Sequence, residues 1–170
     1  MPSDTIYGLS CAALDASAVQ RIYELKGRSY HKPLIVLLAD SAQGAQLSLD
    51  AKALAPAAKF WPAPLTLIAP ARPRTPEYLH RGSPGLAVRV PADDQLRELL
   101  RAAGPLVSTS ANPESQPPAT SVAEAQKYFG GKLDFYIDAG RLPGRPSTIV
   151  NIQNGKLKVI RRGAFKVPQA

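Results

Sequence analysis

Along this chain, short runs of apolar residues alternate with segments in which apolar residues recur at helical spacing. Val19, Ile22 and Tyr23 have the spacing of one face of a helix. The run 34–38, which follows that helix, is apolar at every position and is typical of a buried strand. Because strand and helix patterns alternate over most of the length, the sequence predicts an α/β fold. No internal repeat or long linker divides the chain, so one domain spanning 1–170 is expected.

The other helices and strands are predicted from the same patterns and from the residues that end each of them. Pro62 and Pro64 end a helix, since proline is poorly tolerated inside one. Residues 70–84 form a basic, proline-rich connection with room for one helical turn, and residues 1–9 have the pattern of a strand end that runs into a loop. The predicted strands are 34–38, 65–69, 86–90, 106–107, 135–137, 147–152 and 157–160. The predicted helices are one capped by Asp15 or Ser17, a helical region from residue 39, and 50–60, 93–103 and 121–129.

The composition is that of a globular protein. The chain has 170 residues, 45% of them hydrophobic, and a mean hydropathy of -0.13, which is sufficient for one sizeable core. No apolar run approaches the roughly 18 residues of a membrane span, and no charged-then-apolar segment opens the chain. Cys11 is the only cysteine, so an intrachain disulfide and a zinc site of cysteines are both excluded. These features predict a soluble, cytoplasmic protein with no membrane partner.

The charge of the chain narrows the choice of partner. Lysine and arginine together number 21 against 13 acidic residues, which gives a net charge of +8. Such an excess favours an anionic partner, either a nucleotide or RNA or both. Aromatic residues make up only 6% of the chain, which disfavours the stacking platforms that bind single-stranded nucleic acids.

Three cations, Lys26, Arg28 and Lys32, lie within seven residues between the first helix and the strand 34–38. Loops at such junctions commonly carry function. This spacing of charge suits a polyanion such as a nucleoside triphosphate. The alternative is a basic loop that is merely solvated.

Other polar stretches also occur where predicted elements end. Residues 108–112 place three hydroxyls and an amide just after a strand. Such groups, with nearby backbone N–H donors, can hold phosphate oxygens or the shell of a magnesium ion, and the alternative is a capping loop. Ligands of α/β sheets gather at such ends. The stretches concerned are 3–7, 26–32, 108–112 and 147–148.

Arg89 lies inside the apolar run 86–90. A buried unpaired charge is very costly, so this arginine either points outward or is paired, and its planar fork suits a carboxylate. His31 and His80 have no carboxylate at the spacing of a catalytic triad or a metal site. Neither a P-loop nor a glycine-rich dinucleotide fingerprint occurs in the sequence.

Seven short stretches together resemble the YrdC family of threonylcarbamoyl-AMP synthases. They occur in the family's order and span nearly the whole chain, which makes the combination specific although each stretch is short. The stretches are 2–9 (Pro-Ser-Asp-Thr-Ile-Tyr-Gly-Leu), 26–28 (Lys-Gly-Arg) with 32–34 (Lys-Pro-Leu), 61–66 (Trp-Pro-Ala-Pro-Leu-Thr), 87–89 (Ala-Val-Arg), 108–112 (Ser-Thr-Ser-Ala-Asn), 146–150 (Pro-Ser-Thr-Ile-Val) and 160–163 (Ile-Arg-Arg-Gly).

The resemblance implies a twisted open mixed sheet with flanking helices and a basic concave cleft. It also implies an enzyme, a nucleotidyltransferase that condenses L-threonine, bicarbonate and ATP, with Mg²⁺, into threonylcarbamoyl-adenylate and pyrophosphate. The product would feed the threonylcarbamoylation of tRNA through downstream transfer proteins, and a direct contact with tRNA is a further possibility that the family offers.

The family's binding residues fall on eight positions of this chain. The ATP contacts map to Lys26, Arg28, Ser110, Asn112 and Arg161. The threonine contacts map to Ser3, Arg89 and Ser147. No nucleophile and no metal ligand is assigned, because the reaction needs only positioning and charge neutralisation. Lys26 and Arg28 are expected to be exposed cations of the cleft, and Arg89 to face the cleft and hold the threonine carboxylate.

Two departures from the family pattern bear on the threonine site. Ser3 stands where the family usually has threonine, which keeps the hydroxyl and loses a methyl. The helix and strand that normally precede this point are absent from the sequence. We therefore expect Ser3 to lie on a frayed chain end and the chain to be less stable than one extended upstream. Seven residues follow Gly163, so the extra C-terminal domain of the longer family branch is not expected either.

Two other interpretations compete with a synthase. A non-catalytic RNA-binding module could use the same basic cleft, since a charge of +8 serves both. The clustered Ser110, Asn112 and Arg89 favour a small-molecule site, because an RNA groove would rely on scattered lysines and arginines. The carbamoyl-transfer module of hydrogenase maturation carries zinc-finger cysteines, and the single cysteine argues against it.

Overall fold

The computed structural model describes residues 1–168, which form one β-sheet flanked by helices. The strands are β1 (Gly8–Ala12), β2 (Ile35–Leu37), β3 (Leu65–Pro70), β4 (Gly85–Arg89), β5 (Leu106–Ser110), β6 (Thr148–Gln153) and β7 (Lys156–Arg161). The α-helices are α1 (Ala16–Lys26), α2 (Ala51–Ala58), α3 (Glu77–His80), α4 (Asp94–Ala103) and α5 (Val122–Phe129), and short 3₁₀ helices span Ala42–Leu47 and Gly130–Lys132. Within residues 1–168, no helix is both long and apolar enough to cross a membrane.

The sheet is mixed, with its strands in the order β1-β5-β2-β4-β3-β6-β7. Two neighbouring pairs are parallel, β2 with β4 and β3 with β6. The other neighbours are antiparallel. This arrangement confirms the predicted fold class, an open mixed sheet with flanking helices. It also means that some neighbours in the sheet, such as β1 and β5, come from distant parts of the chain.

Successive residues of the central strands point to opposite faces of the sheet. Val36 of β2 and Val88 of β4 belong to a large buried core, to which α1, α2, α3 and α5 also contribute apolar residues. Leu37 instead joins a smaller cluster with Leu96 and Leu100 of α4. The two faces therefore differ, since four helices contribute to the core on one and α4 packs against the other.

Helix α1 delivers the cationic loop to the sheet. The Asp15 carboxylate accepts hydrogen bonds from the backbone N–H groups of Ser17 and Ala18 at 2.9 and 3.0 Å, which caps the helix as the sequence predicts. At the other end Gly27 has a φ of 59°, in the left-handed region that glycine enters without steric cost. The cap and the turn together fix where the cationic loop begins.

Two segments at the sheet differ from the sequence-based prediction. Residues 135–137 are irregular rather than a strand, and Phe135 is 72% exposed. The backbone just after this segment is held by a side chain instead, since the Tyr7 hydroxyl accepts from the Ala139 N–H at 2.9 Å and donates to the Gly140 carbonyl oxygen at 2.7 Å. Residues 1–7 lie outside the strands, and β1 begins at Gly8. Its sequence, Gly-Leu-Ser-Cys-Ala, lacks the β-branched and aromatic residues by which strands are predicted.

Candidate functional site

A cavity of about 320 Å³ lies on the sheet, and every strand contributes at least one residue to its wall. All four polar stretches that the sequence indicated reach this cavity. Six of the eight predicted binding residues line it, namely Ser3, Arg28, Arg89, Ser110, Ser147 and Arg161. The other two, Lys26 and Asn112, lie behind the wall.

Lys26 is buried, with 3% of its surface exposed, so the expectation of an exposed cleft cation is wrong for this residue. Its Nζ donates to the backbone carbonyl oxygens of Ser110 and Asn112, both at 2.5 Å, and lies 3.4 Å from Asn112 Oδ1. Burial lowers the pKa of Lys26 to about 8, and the charge of Arg28 acts in the same direction. The ammonium therefore ties the end of α1 to the end of β5.

Asn112 and Glu114 complete this connection, and we call Lys26, Asn112 and Glu114 the lysine junction. The Asn112 side-chain amide donates to the carbonyl oxygens of Pro113 and Gln116 at 2.9 and 2.7 Å, so it holds its own loop. The Glu114 N–H donates to the Lys26 carbonyl at 2.7 Å. The predicted ATP contact through Asn112 thus falls on a side chain whose N–H donors are already used.

Glu114 is a residue that the sequence reasoning missed. Its carboxylate accepts a hydrogen bond from the Lys32 ammonium and another from the Ser29 N–H at 3.2 Å. The hydrogen bond from Lys32 and then that from Ser29 lower the pKa of Glu114. The sequence feature that could have indicated Glu114 is its position, since it is an acidic residue of a basic chain and lies two positions after Asn112, a predicted binding residue. Glu114 holds the cationic loop against the loop that follows β5.

Arg28 lies at the cavity wall, as predicted. Its Nε donates to the Lys32 carbonyl oxygen at 3.0 Å, and its Nη2 donates to the Pro33 carbonyl oxygen at 3.2 Å. These two carbonyl groups of the loop therefore hold Arg28 and fix the direction in which its guanidinium reaches the cavity.

The hydroxyl row of β5 forms a second part of the wall, with Ser108, Thr109 and Ser110 all lining the cavity. Gly8 of β1 pairs with Ser110, and a Cβ added at Gly8 would lie 2.8 Å from Ser108 Oγ. The absence of a side chain at Gly8 therefore keeps the hydroxyl row accessible.

Arg89 ends β4, lines the cavity and is only 4% exposed. Its Nη2 lies 3.0 Å from Oδ1 of Asp4, which the sequence reasoning did not single out. Burial lowers the pKa of Arg89, and the charge of Asp4 opposes that effect. The predicted orientation toward the cleft is confirmed, and the carboxylate beside this arginine belongs to the chain itself. We call Arg89 and Asp4 the arginine pair.

Ser3 is buried and hydrogen-bonded, so the expectation that it lies on a frayed end is wrong. Its exposed fraction is 9%, and its hydroxyl donates to the Ile6 carbonyl oxygen at 2.7 Å. The Met1 ammonium donates to the Gly8 carbonyl oxygen at 2.9 Å, and the Gly8 N–H donates to the Met1 carbonyl at the same distance. These bonds fold residues 1–8 into a closed loop at the cavity.

Ser147 and Arg161 bring the last two strands to the cavity. The Ser147 hydroxyl lies 2.8 Å from that of the fully buried Thr66, and the Ser147 carbonyl accepts a hydrogen bond from Arg161 Nη2 at 2.9 Å. Burial lowers the pKa of Arg161. Arg161, predicted to contact ATP, is thereby held beside Ser147, predicted to contact threonine.

The chain after β7 is folded back beside this part of the cavity. The Thr148 hydroxyl donates to the Phe165 carbonyl at 2.6 Å and accepts from the Gly163 N–H at 3.0 Å. A Cβ at Gly163 would lie 2.2 Å from the Pro146 carbonyl oxygen, so glycine permits this close approach.

Arginines and hydroxyls dominate the polar part of the cavity wall. Among residues 1–168, no group of three His, Cys, Asp or Glu side chains could hold a metal ion. Such a wall can bind anions and orient them through guanidinium and hydroxyl groups. The arrangement suits substrates that carry carboxylate or phosphate groups.

Two sequence comparisons bear on the identity of this site. A protein-family model named Sua5/YciO/YrdC, with the description "Telomere recombination", matches residues 1–163. A protein of Halorhodospira halophila named "Threonylcarbamoyl-AMP synthase" is 40% identical over 159 residues, which cover 91% of this chain and 83% of the relative.

Solved structures give a matching result. Pyrococcus abyssi Sua5 complexed with L-threonine superposes with a TM-score of 0.83 at 34% identity, over 95% of this chain and 49% of that one. The chain thus spans about half the length of that protein. YciO from E. coli superposes with a TM-score of 0.82 at 24% identity, over 97% of this chain and 82% of that one, which supports the fold alone.

Proposed function

Because the chain belongs to the Sua5/YciO/YrdC family, we propose that it is an L-threonylcarbamoyladenylate synthase. The reaction consumes L-threonine, bicarbonate and ATP and yields threonylcarbamoyl-AMP and pyrophosphate, which makes the enzyme a nucleotidyltransferase. Its product would be used for threonylcarbamoyladenosine formation in tRNA. The name of the Halorhodospira halophila relative and the L-threonine complex of the Pyrococcus abyssi protein both support this proposal.

The observation that carries the proposal is the make-up of the cavity wall. Among the described residues, three arginines and seven hydroxyl side chains line it, without a carboxylate, histidine or cysteine. In the proposed reaction the threonine amine attacks the carbon of bicarbonate, and loss of water leaves a carbamate on the threonine nitrogen. The carbamate oxygen then attacks the α-phosphorus, and the bond to pyrophosphate breaks. No protein nucleophile takes part, so a wall that positions substrates and neutralises their charge is sufficient.

We assign the threonine carboxylate to Arg89, because its guanidinium reaches the cavity from a buried position. Ser147 lines the same wall, and its hydroxyl position is fixed by Thr66. Ser3 contributes mainly by shape, since its own hydroxyl proton is directed to Ile6. In this assignment, the arginine pair provides recognition of the substrate's charge.

We assign the triphosphate to Arg28, Ser110 and Arg161, which all line the cavity. Lys26 and Asn112 act behind them, since their side chains hold the loop after β5 in place. Lys26 would thus support ATP binding by fixing Ser110 rather than by touching a phosphate. Two guanidinium groups and a hydroxyl remain to neutralise the departing pyrophosphate.

The residues present fit a magnesium ion that arrives with ATP. Mg²⁺ commonly keeps several waters and is held largely through substrate phosphates, and the β5 hydroxyls Ser108, Thr109 and Ser110 are oxygen donors of the kind it accepts. When bound, the ion would neutralise charge on the phosphates during pyrophosphate departure. No carboxylate cage is required for that role.

Pyrophosphate release by the purified protein tests the proposed function. With ATP present, we expect release only when L-threonine and bicarbonate are both added. L-Threoninamide, which keeps the amine and loses the carboxylate, serves as the matched control and should support little release. Release that is independent of threonine would contradict the proposal. Absence of release together with tight tRNA binding would favour the RNA-binding module instead.

A further inference from the structure

The arginine pair is almost completely removed from solvent. The exposed fractions of the two side chains are 5% for Arg89 and 3% for Asp4, and the charged atoms are 3.0 Å apart. In such surroundings each charge depends on the other, because an unpaired buried charge is strongly disfavoured. The pair is therefore a fixed part of the cavity wall.

Asp4 lies behind Arg89 and does not itself line the cavity. Its Oδ2 accepts a hydrogen bond from the Ala92 N–H at 3.1 Å, which ties the carboxylate to the segment between β4 and α4. Any influence of Asp4 on a ligand must pass through Arg89. This placement is that of a residue that orients another.

The pair also leaves hydrogen-bonding capacity unused. Among residues 1–168, the buried Arg89 Nε–H has no acceptor, and Asp4 Oδ1 has no well-aligned donor despite the short distance between the charges. Leaving a buried donor unsatisfied is costly. Asp4 alone therefore does not satisfy the donors of Arg89, and a ligand carboxylate in the cavity would add acceptors beside the guanidinium.

The balance of charge points in the same direction. Arg161 lies near enough to Arg89 for its charge to act on it, so two guanidinium groups line this part of the wall, and the Asp4 carboxylate lies behind them. The surplus is one positive charge, which attracts a ligand that carries a carboxylate.

We propose that Asp4 is a positioning residue, which holds the Arg89 guanidinium in the orientation that receives a substrate carboxylate. The inference rests on the proposed function for the identity of that substrate, L-threonine. The effect of Asp4 on Arg89 in the ligand-free protein, however, is independent of the proposed function. In this scheme Asp4 stays in place when the substrate binds, because its second oxygen remains bonded to Ala92.

Asp4→Asn tests the proposal, since it keeps the shape of the side chain and removes its charge. The first measurement is the NMR signal of the Arg89 Nε–H without ligand, assigned by its loss in Arg89→Lys. We expect its exchange with water to be about tenfold faster in Asp4→Asn. The second is calorimetric binding, in which the Kd for L-threonine should rise about tenfold, as loss of about 1.4 kcal/mol produces, while the Kd for ATP stays unchanged.

Asp134→Asn is the matched control, because Asp134 forms an exposed ion pair with Arg21 on the surface. It should change neither measurement. An unchanged Arg89 signal in Asp4→Asn would overturn the proposal, as would tighter threonine binding, which would show that Asp4 competes with the substrate. If the wild-type protein binds no threonine, the proposed function fails, and the Arg89 signal still decides the role of Asp4.

Loss of a buried charge can also unfold the protein, so thermal melts accompany both measurements. Should Asp4→Asn not fold, Asp4→Glu is used in its place, since it keeps the charge and displaces the carboxylate by one methylene. A displaced Arg89 Nε–H signal with weaker threonine binding would support the proposal. An Arg89 signal and a threonine affinity equal to wild type would overturn it.

Discussion

The lysine junction and the arginine pair both bury a cation beside the same cavity, but they leave different numbers of donors free. Lys26 Nζ donates to the backbone carbonyls of Ser110, at the end of β5, and Asn112, in the loop that follows, so the fold uses its donors. Arg89 faces one carboxylate and retains an Nε–H without an acceptor among the described residues. Unused donors, rather than charge alone, are thus what separates Arg89, which we propose to bind a ligand, from Lys26, whose donors support the structure.

Arg89→Met should have the largest effect on stability, because it leaves the Asp4 carboxylate buried without its partner. Breaking a buried pair in this way costs about 3–5 kcal/mol of unfolding free energy. Urea unfolding of the ligand-free protein measures the loss. Arg21→Met removes an arginine from an exposed pair with Asp134 and should cost at most about 1 kcal/mol. Equal losses in the two variants would contradict the importance of the arginine pair.

Lys26→Met should destabilise the protein by about 2–3 kcal/mol, because the carbonyls of Ser110 and Asn112 lose their donor. The same unfolding measurement checks it, with Lys52→Met on the exposed side of α2 as the control. A fully stable Lys26→Met that binds ATP weakly would instead make Lys26 a direct ligand, and the contrast drawn above would fail.

Arg28→Gln should weaken ATP binding while leaving the fold stable, since this guanidinium reaches the cavity from a loop. Loss of one charge-assisted contact corresponds to about 1.5 kcal/mol, or roughly tenfold in Kd. Calorimetry with ATP measures it. Arg72→Gln, in an exposed pair with Asp50, is the control. Unchanged ATP affinity in Arg28→Gln would remove this residue from the site.

The smallest expected effect concerns pH. Burial lowers the pKa of Lys26 from 10.5 to about 8, so between these values the unfolded chain binds more protons than the folded protein. Stability from this group therefore rises as pH increases from about 8 to about 10.5. The difference in unfolding free energy between wild type and Lys26→Met should widen from pH 7 to pH 9.5. A constant difference would show that Lys26 keeps its ordinary pKa.

Local features of the fold were predictable because local sequence determines them. Asp15 caps α1, and Gly27 lies just after the helix, where the pattern of apolar residues ends. The strand predicted at 135–137 was wrong, because an apolar run carries no information about whether the folded chain places that segment beside a strand.

The candidate site was predictable in composition and less so in geometry. The cost of a buried charge left two alternatives for Arg89, an outward orientation or a paired one, and the structure has the pair. The sequence could not identify the intramolecular carboxylate as Asp4, because chain folding alone brings the two residues together. Likewise, the sequence could not show that Lys26 is buried, because its acceptors are the backbone carbonyls of Ser110 and Asn112, whose positions no pattern of side chains reveals.

The pairing of β1 with β5 has a consequence for how the protein acquires its cavity. Gly8 pairs with Ser110, so this contact closes a loop of about one hundred residues, and loop closure over such a distance is entropically costly and slow. During synthesis, β1 emerges long before β5, its neighbour in the sheet that residues 1–168 form. The hydroxyl row can therefore join the closed loop at residues 1–8 and the arginine pair only at a late step of folding.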